Sequence, residues 1–124
     1  MPVLTPAHAP THAHGATRFT SLATPSRGGT SDTAVWRVDI AAGTPATPHR
    51  LTREEVFVVL SGGAAVRIGG ERRMVVSGDV IVVPPDTDFE LATDDQALSA
   101  LCCLPVGGQA YTSGGAPFTP PWAQ

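Results

Sequence analysis

Lysine and asparagine are both missing from this chain of 124 residues. Without lysine, the protein cannot form a Schiff base with a substrate and has no phosphate-binding lysine of the P-loop kind. Without asparagine, it cannot assemble a Cys-His-Asn catalytic set. The only cysteines, Cys102 and Cys103, are neighbours, so no disulfide can join distant parts of the chain. Two reduced thiols are typical of cytoplasmic proteins, and we predict that location.

Basic charge and long apolar runs are also scarce. Eight arginines stand against eleven acidic residues, which gives a net charge of −3 and leaves no basic stripe for a phosphate backbone. No apolar run approaches the roughly 18–20 residues that a membrane helix requires, and the first residues lack the basic-then-apolar order of a secretory signal. We therefore expect neither nucleic acid nor a membrane as a partner.

Glycine and proline are plentiful, with 13 and 12 residues, which is ordinary for a β protein rich in turns and high for a helical one. Short alternating or β-branched runs recur about every ten residues between turn signals. The predicted strands are Phe19–Leu22, Ala34–Ile40, Glu55–Leu60, Ala64–Ile68, Arg73–Val76, Val80–Val83, Phe89–Thr93 and Leu98–Leu104. In the second of these, Trp36, Val38 and Ile40 form the predicted inner face. No helix pattern is found, so the sequence predicts an all-β fold, either an antiparallel barrel or a sandwich.

A single domain is expected, with an irregular segment at each end. Residues 1–15 carry Pro, Ala, Thr and His without apolar periodicity and are predicted to be a mobile arm. Residues 16–105 hold the strands and are predicted to form the barrel. Residues 106–124 are predicted to be an irregular tail that aromatic side chains hold on the barrel. Within the barrel segment, Ser61-Gly62-Gly63 is predicted to end a strand.

Two segments narrow the choice of fold. Gly43, His49, Glu55 and Gly62 match the first motif of the cupin superfamily, in which a glycine, two histidines one residue apart, a glutamate and a second glycine follow in order. Further along, a glycine and a proline at the ends of Gly78–Pro84 match the start of the second cupin motif. The chain thus resembles a small single-domain cupin over roughly residues 33–105. The resemblance implies one antiparallel β-barrel of the jelly-roll type, as in RmlC-like proteins.

The departures from both motifs fall on the positions that carry chemistry. Leu51 stands at the second histidine of the first motif, Phe89 at the histidine of the second, and Asp86 at its glycine. Many cupins hold Fe, Mn, Ni or Zn through three histidines and a glutamate, and the resemblance leaves this chain only His49 and Glu55. Because a catalytic metal site needs about three protein ligands, we expect the standard site to be absent and predict no cofactor.

A divalent metal with a non-standard ligand set is the alternative that stays open. His12 and His14 have the spacing that places both on one face of a strand, and one of them is a candidate third ligand beside His49 and Glu55. One of the two adjacent cysteines must also face inward, where its thiolate is a further candidate ligand. Such a protein is expected to be a dioxygenase or an isomerase.

The leading hypothesis is a small-molecule-binding cupin without the usual metal. His49 and Glu55 are the predicted catalytic residues, because an imidazole and a carboxyl in an apolar cup can hold a proton near neutral pH, as an isomerase or a cyclase requires. A remnant ion pair between them is the structural alternative. The side chains predicted to contact the ligand, or to fill the core, are Trp36, Leu51, Phe57 and Phe89. A non-catalytic ligand-binding module stays possible, and open strand edges predict a homodimer.

Overall fold

Ten β-strands and one short 3-10 turn make up the computed structural model, which describes residues 2–124. The strands are β1 (Thr11–His14), β2 (Thr17–Ala23), β3 (Thr33–Ile40), β4 (Arg50–Leu51), β5 (Glu55–Ile68), β6 (Glu71–Val76), β7 (Val80–Val83), β8 (Phe89–Ala92), β9 (Leu98–Pro105) and β10 (Ala110–Tyr111), and the turn is Pro121–Ala123. All strand pairings are antiparallel. The predicted fold class, an all-β barrel of the jelly-roll type, is confirmed.

Alternation along the strands builds the core. In β3, Trp36, Val38 and Ile40 are buried while Arg37 between them is exposed, so the predicted inner face is confirmed. In β9, every second residue from Leu98 onward is buried in the same way. Because successive side chains of a strand point to opposite faces, one apolar residue in two is enough to fill the interior.

Strand β5 is longer than the sequence predicted. Its first half pairs with β7 and β9, and its second half pairs with β6 and β8. The prediction that Ser61-Gly62-Gly63 ends a strand is wrong, because the chain bends there and continues to Ile68. The pairing with β9 shifts register between Val59 and Ser61, and Gly62 has a φ of +79°. A Cβ atom at Gly62 would lie 1.7 Å from the carbonyl oxygen of Ala97, so only glycine fits the bend.

The N-terminal segment differs in part from the predicted arm. Met1 lies outside the described residues, and residues 2–10 form no strand. Residues 11–14, however, form β1, which pairs with β2 and places His12 opposite Phe19. Backbone hydrogen bonds to an existing sheet edge require no apolar pattern, which is why the sequence did not indicate this strand.

The C-terminal segment covers the barrel at two places. The indole of Trp122 stacks on Phe19 with ring centroids 3.7 Å apart and the planes 4° from parallel, and the Ser21 hydroxyl donates to the Trp122 carbonyl at 2.8 Å. Earlier in the same segment, β10 pairs with β4 in a small sheet of two strands. Within residues 2–124, no helix has the length and apolar character to cross a bilayer.

Candidate functional site

Glu55 is the first residue of β5 and points into the barrel. It is 4% exposed and shares its strand face with the buried residues Phe57 and Val59. Among residues 2–124, it is the one buried residue of a charged type, and none of the ion pairs in that part of the chain includes it. Since burial disfavours the charged form, it raises the pKa of Glu55 from its ordinary value of 4.5 to about 8.

His49 lies at the mouth of the barrel, where its backbone exchanges two hydrogen bonds of 2.9 Å with Phe89. Its Nδ1 is 2.9 Å from the Thr47 carbonyl oxygen. A carbonyl can only accept, so Nδ1 is the donor, and the lone pair of the neutral ring is on Nε2. The partly exposed ring contacts Phe89 edge-on, with centroids 5.3 Å apart.

The two predicted catalytic residues are not paired with each other. No ion pair joins His49 to Glu55 in the part of the chain that the structure describes. The Nδ1 of His49 faces Thr47 instead, and the Phe89 ring packs against both His49 and Phe57, the residue that shares the inner face of β5 with Glu55. The ion pair between His49 and Glu55 that the sequence left open is therefore not formed. His49 is bonded to the Thr47 carbonyl, and Glu55 is buried on the inner face of β5.

The four side chains predicted to contact a ligand or to fill the core all lie in the interior. Trp36, Leu51 and Phe89 are 2% exposed and Phe57 is 7% exposed. The rings of Phe57 and Phe89 are 5.4 Å apart and tilted, which is ordinary core packing. At the two histidine positions of the cupin motifs, Phe89 belongs to the core cluster, whereas Leu51 is buried but lies outside that cluster. Whether any of the four also contacts a ligand stays a prediction.

The residues present do not fit the metal centre that the cupin motifs imply. Among residues 2–124, no group of three or more His, Cys, Asp or Glu side chains is arranged to hold a metal ion. His12 lies on β1 with its ring 6.5 Å from that of Trp122, and His14 is exposed, so neither joins His49 and Glu55. Cys102 faces inward, but burial raises the pKa of its thiol, and the nearby Glu55 raises it further. A buried thiol of this kind is a poor metal ligand.

A polar cleft at the barrel mouth was not predicted from the sequence. It has a volume of about 510 Å³ and is lined by Pro48, His49, Arg50, Asp88 and the segment 111–115; we call it the rim cleft. The pairing of β10 with β4 places this C-terminal segment beside His49. That pairing involves only two residues from each strand, which is too short for a sequence pattern to indicate. The signals in the sequence were Arg50 and Arg53, which flank the motif and are candidates to bind an anionic group at the rim; of the two, only Arg50 lines the cleft.

A hydrogen-bonded network fixes the side chains around the rim cleft. Arg50 Nε donates to Asp88 Oδ1 at 2.7 Å, and the Tyr111 hydroxyl donates to Asp86 Oδ1 at 2.7 Å. The guanidinium of Arg50 holds the pKa of Asp88 below its usual range, and the hydrogen bond to Asp86 raises the pKa of Tyr111. Asp86 has a φ of +54°, which explains why glycine is usual at this position of the motif and why aspartate is tolerated.

A second opening lies between β6 and β7, two strands that both pair with β5. This cavity has a volume of about 270 Å³, and we call it the seam slot. Its inner wall contains the core side chains Val66, Val75 and Ile81, and its outer edge contains the ion pair of Arg73 with Glu71. Ile81 is the direct strand partner of Phe57, but neither Phe57 nor Glu55 lines the slot.

Comparison with known proteins identifies the family. The sequence model of the cupin domain matches residues 36–104. The polyketide cyclase RemF from Streptomyces resistomycificus is a similar solved structure, with 18% identity, a TM-score of 0.73, and coverage of 85% of this chain and 79% of that one. An RmlC-like cupin from Shewanella frigidimarina NCIMB 400 has 15% identity, a TM-score of 0.69, and coverage of 79% of this chain and 84% of that one. KdgF from Halomonas sp. has 20% identity, a TM-score of 0.66, and coverage of 83% of this chain and 93% of that one. No curated protein sequence matches. The structural likenesses show the fold, and the family match over more than half of the sequence shows that this chain belongs to the cupin family.

Proposed function

We propose that the protein binds a small organic molecule and catalyses a proton transfer, as in an isomerisation or a cyclisation, with Glu55 and His49 as the catalytic residues. The observation that carries the proposal is the burial of Glu55 without an ion-pair partner in an apolar interior. Such burial lowers stability, and groups of this kind cluster at functional sites. With a pKa of about 8, the carboxyl can give up a proton and take it back near neutral pH.

The fold alone does not choose the reaction, because cupin barrels support unrelated chemistries. RemF, named as a polyketide cyclase, is only 18% identical to this chain. The choice of a reaction without the standard metal rests on Leu51 and Phe89, which put hydrocarbon at two of the ligand positions.

Hydrogen–deuterium exchange at carbon tests the proposal without knowledge of the substrate. Acetophenone and benzoylacetone, two enolisable ketones, are incubated with the protein in deuterated buffer, and loss of the C–H signal is followed by NMR. We expect the wild type to accelerate exchange of at least one ketone. Glu55→Gln removes the proton-carrying group and should lower that exchange rate at least 100-fold, because a general base typically raises a reaction rate by about 10²–10⁴-fold. If Glu55 acts as the base, the rate rises with pH and levels off near the pKa of about 8.

Glu54→Gln is the matched control, since it makes the same change one residue earlier at an exposed position. Its exchange rate should stay within twofold of the wild type. Equal rates for Glu55→Gln and wild type would remove Glu55 from the mechanism. No acceleration of either ketone by the wild type would count against proton-transfer catalysis and favour a non-catalytic ligand-binding module.

We also propose that two copies of the chain associate through an outer face of the barrel. Five apolar side chains on this face are 40–63% exposed, and we call them the apolar face: Leu60, Met74, Val76, Val80 and Val82. The Ser77 hydroxyl donates to the Leu60 carbonyl, which holds the turn after Val76 against β5 next to Leu60. An exposed apolar patch marks an interaction surface. Since none of the five side chains is charged, a second copy can pack against the apolar face without like-charge repulsion.

We also propose a cytoplasmic location, which the free thiols of Cys102 and Cys103 support.

A further inference from the structure

We propose that the rim cleft binds the carboxylate group of a small organic acid, with Arg50 as the anchoring residue. The inference rests on the proposed function in one respect: it names the class of substrate that a proton-transfer reaction at this barrel would use. The cleft itself stands on separate observations, namely its volume, its donor groups and the network that holds them.

The guanidinium of Arg50 is held in place from two sides. Asp88 accepts the Nε hydrogen at 2.7 Å, and Tyr111 lies on the paired strand directly opposite Arg50. A guanidinium has five N–H donors in a planar fork, so the bond from Nε leaves the Nη donors for the Tyr111 oxygen and a ligand. Two Nη donors match the two oxygens of a carboxylate. Because Asp88 already orders the side chain, binding loses less conformational entropy than at a free surface arginine.

The acidic groups near the cleft are already engaged. Asp88 is bonded to Arg50, and Asp86 accepts the hydroxyl hydrogen of Tyr111. The charge of Asp88 is offset by its pairing with Arg50, and Asp86 is not among the residues that line the cleft. The opposite wall adds hydroxyl donors from Thr112 and Ser113 in the segment that lines the cleft. Donors from an arginine and two hydroxyls suit an anion with oxygen acceptors.

The size and the remaining walls favour an organic acid over a free inorganic anion. A volume of about 510 Å³ falls in the range of small-molecule sites, well beyond what a single anion fills. The ring of Tyr111 and the imidazole of His49 also line the cleft and give flat surfaces for the carbon skeleton. A carboxylate on Arg50 thus places the rest of the ligand beside its chain neighbour His49.

Titration with benzoate, followed by the NMR signals of the His49 ring, tests this assignment. Benzamide is the neutral probe of the same shape. We expect saturable shifts of the His49 signals with benzoate and at least tenfold weaker binding of benzamide. Arg50→Gln should weaken benzoate binding at least tenfold. Arg53→Gln, an exposed arginine three residues later, is the matched control and should stay within twofold of the wild type.

Ser113→Ala keeps the Arg50–Asp88 pair intact, so the proposal can still be tested if Arg50→Gln disturbs the rim. We expect this variant to weaken benzoate binding about threefold, since one hydrogen bond to an anion is lost. The proposal is overturned if benzoate and benzamide bind equally, or if the Arg50 and Arg53 variants lose the same affinity.

The same titration separates this proposal from the proposed function. Glu55→Gln should bind benzoate as the wild type does, because Glu55 does not line the rim cleft. Ketone exchange that is as fast in Glu55→Gln as in the wild type, together with intact benzoate binding, would refute the catalytic role of Glu55 and leave the cleft assignment standing. Ketone exchange that depends on Glu55, together with benzoate binding that is independent of Arg50, would refute the cleft assignment alone.

Discussion

A single carboxyl accounts for much of the chemistry expected of this protein. Glu55 is 4% exposed on the inner face of β5, near the thiol of Cys102, and this burial disfavours a negative charge on its carboxyl. The native protein therefore keeps the proton on Glu55 up to a pH of about 8, whereas the unfolded chain releases it near 4.5. Between these values the native state binds more protons than the unfolded state, so stability falls as the pH rises.

The free energy of unfolding should thus decrease from pH 4.5 to pH 8, by a total on the order of 5 kcal/mol from Glu55 alone. Urea denaturation at several pH values measures this slope. In Glu55→Gln the contribution disappears, because the amide does not titrate, while the exposed Glu54→Gln should retain it. A Glu55→Gln variant with the wild-type slope would show that the carboxyl is not desolvated in solution.

Asp86 combines an unusual backbone conformation with a side-chain hydrogen bond. Its φ of +54° is uncommon outside glycine, and its carboxylate accepts the hydroxyl of Tyr111. Asp86→Ala loses both the tolerance of this φ and the hydrogen bond, and we expect a loss of about 1–2 kcal/mol in the free energy of unfolding. Asp86→Gly adopts the positive φ without strain and loses only the hydrogen bond from Tyr111, so this variant should be less destabilised than Asp86→Ala. Equal urea midpoints for the two variants would contradict this explanation.

At the scale of elements, β5 joins the two halves of the eight-stranded sheet. Its bend requires a residue without a Cβ, because the Ala97 carbonyl occupies that space at Gly62. Gly62→Ala should therefore be among the most destabilising single changes, by more than about 4 kcal/mol, or should prevent folding. Gly70→Ala is the control, with a similar φ of +87° and nothing within 4 Å of the added atom. Gly70→Ala should lower the free energy of unfolding by about 1 kcal/mol because of the positive φ alone. Thermal unfolding of the Gly62→Ala and Gly70→Ala variants measures the difference.

Strand alternation made most of the barrel predictable. Trp36, Val38 and Ile40 are buried as their period of two indicated, and Val80–Val83 has the predicted bounds. The predicted strands Ala64–Ile68 and Arg73–Val76 are joined in a hairpin by Gly69-Gly70, where both glycines adopt a positive φ. These features depend on residues close in sequence.

Features that depend on distant residues were not predictable in the same way. Strand β1 forms because the edge of β2 offers free hydrogen-bonding groups, whatever the side chains of Thr11–His14. For the site, the sequence indicated that Leu51 and Phe89 replace imidazoles, and both are inside. It did not indicate that the Nδ1 of His49 turns to Thr47, nor that a C-terminal segment completes the rim cleft, since both follow from the three-dimensional path of loops.

The whole molecule leaves the apolar face uncovered by its own chain. Val82→Glu places a charge within that face, so we expect the dissociation constant of the homodimer to rise at least tenfold. Val3→Glu makes the same change at a valine that is 83% exposed and lies outside the face, and it should not alter assembly. Sedimentation velocity at several concentrations measures the association, and circular dichroism checks that each variant is folded. A wild type that stays monomeric at high concentration would refute the homodimer.

Because β5 pairs with β9 through its first half and with β6 through its second half, these two parts of the sheet cannot separate without breaking pairings of this one strand. The barrel should therefore open in one cooperative step, with no stable intermediate in which half of it is folded. Amide protons in β9 on one side and β6 on the other should then report the same opening free energy in native-state hydrogen exchange, although these strands have no pairing with each other.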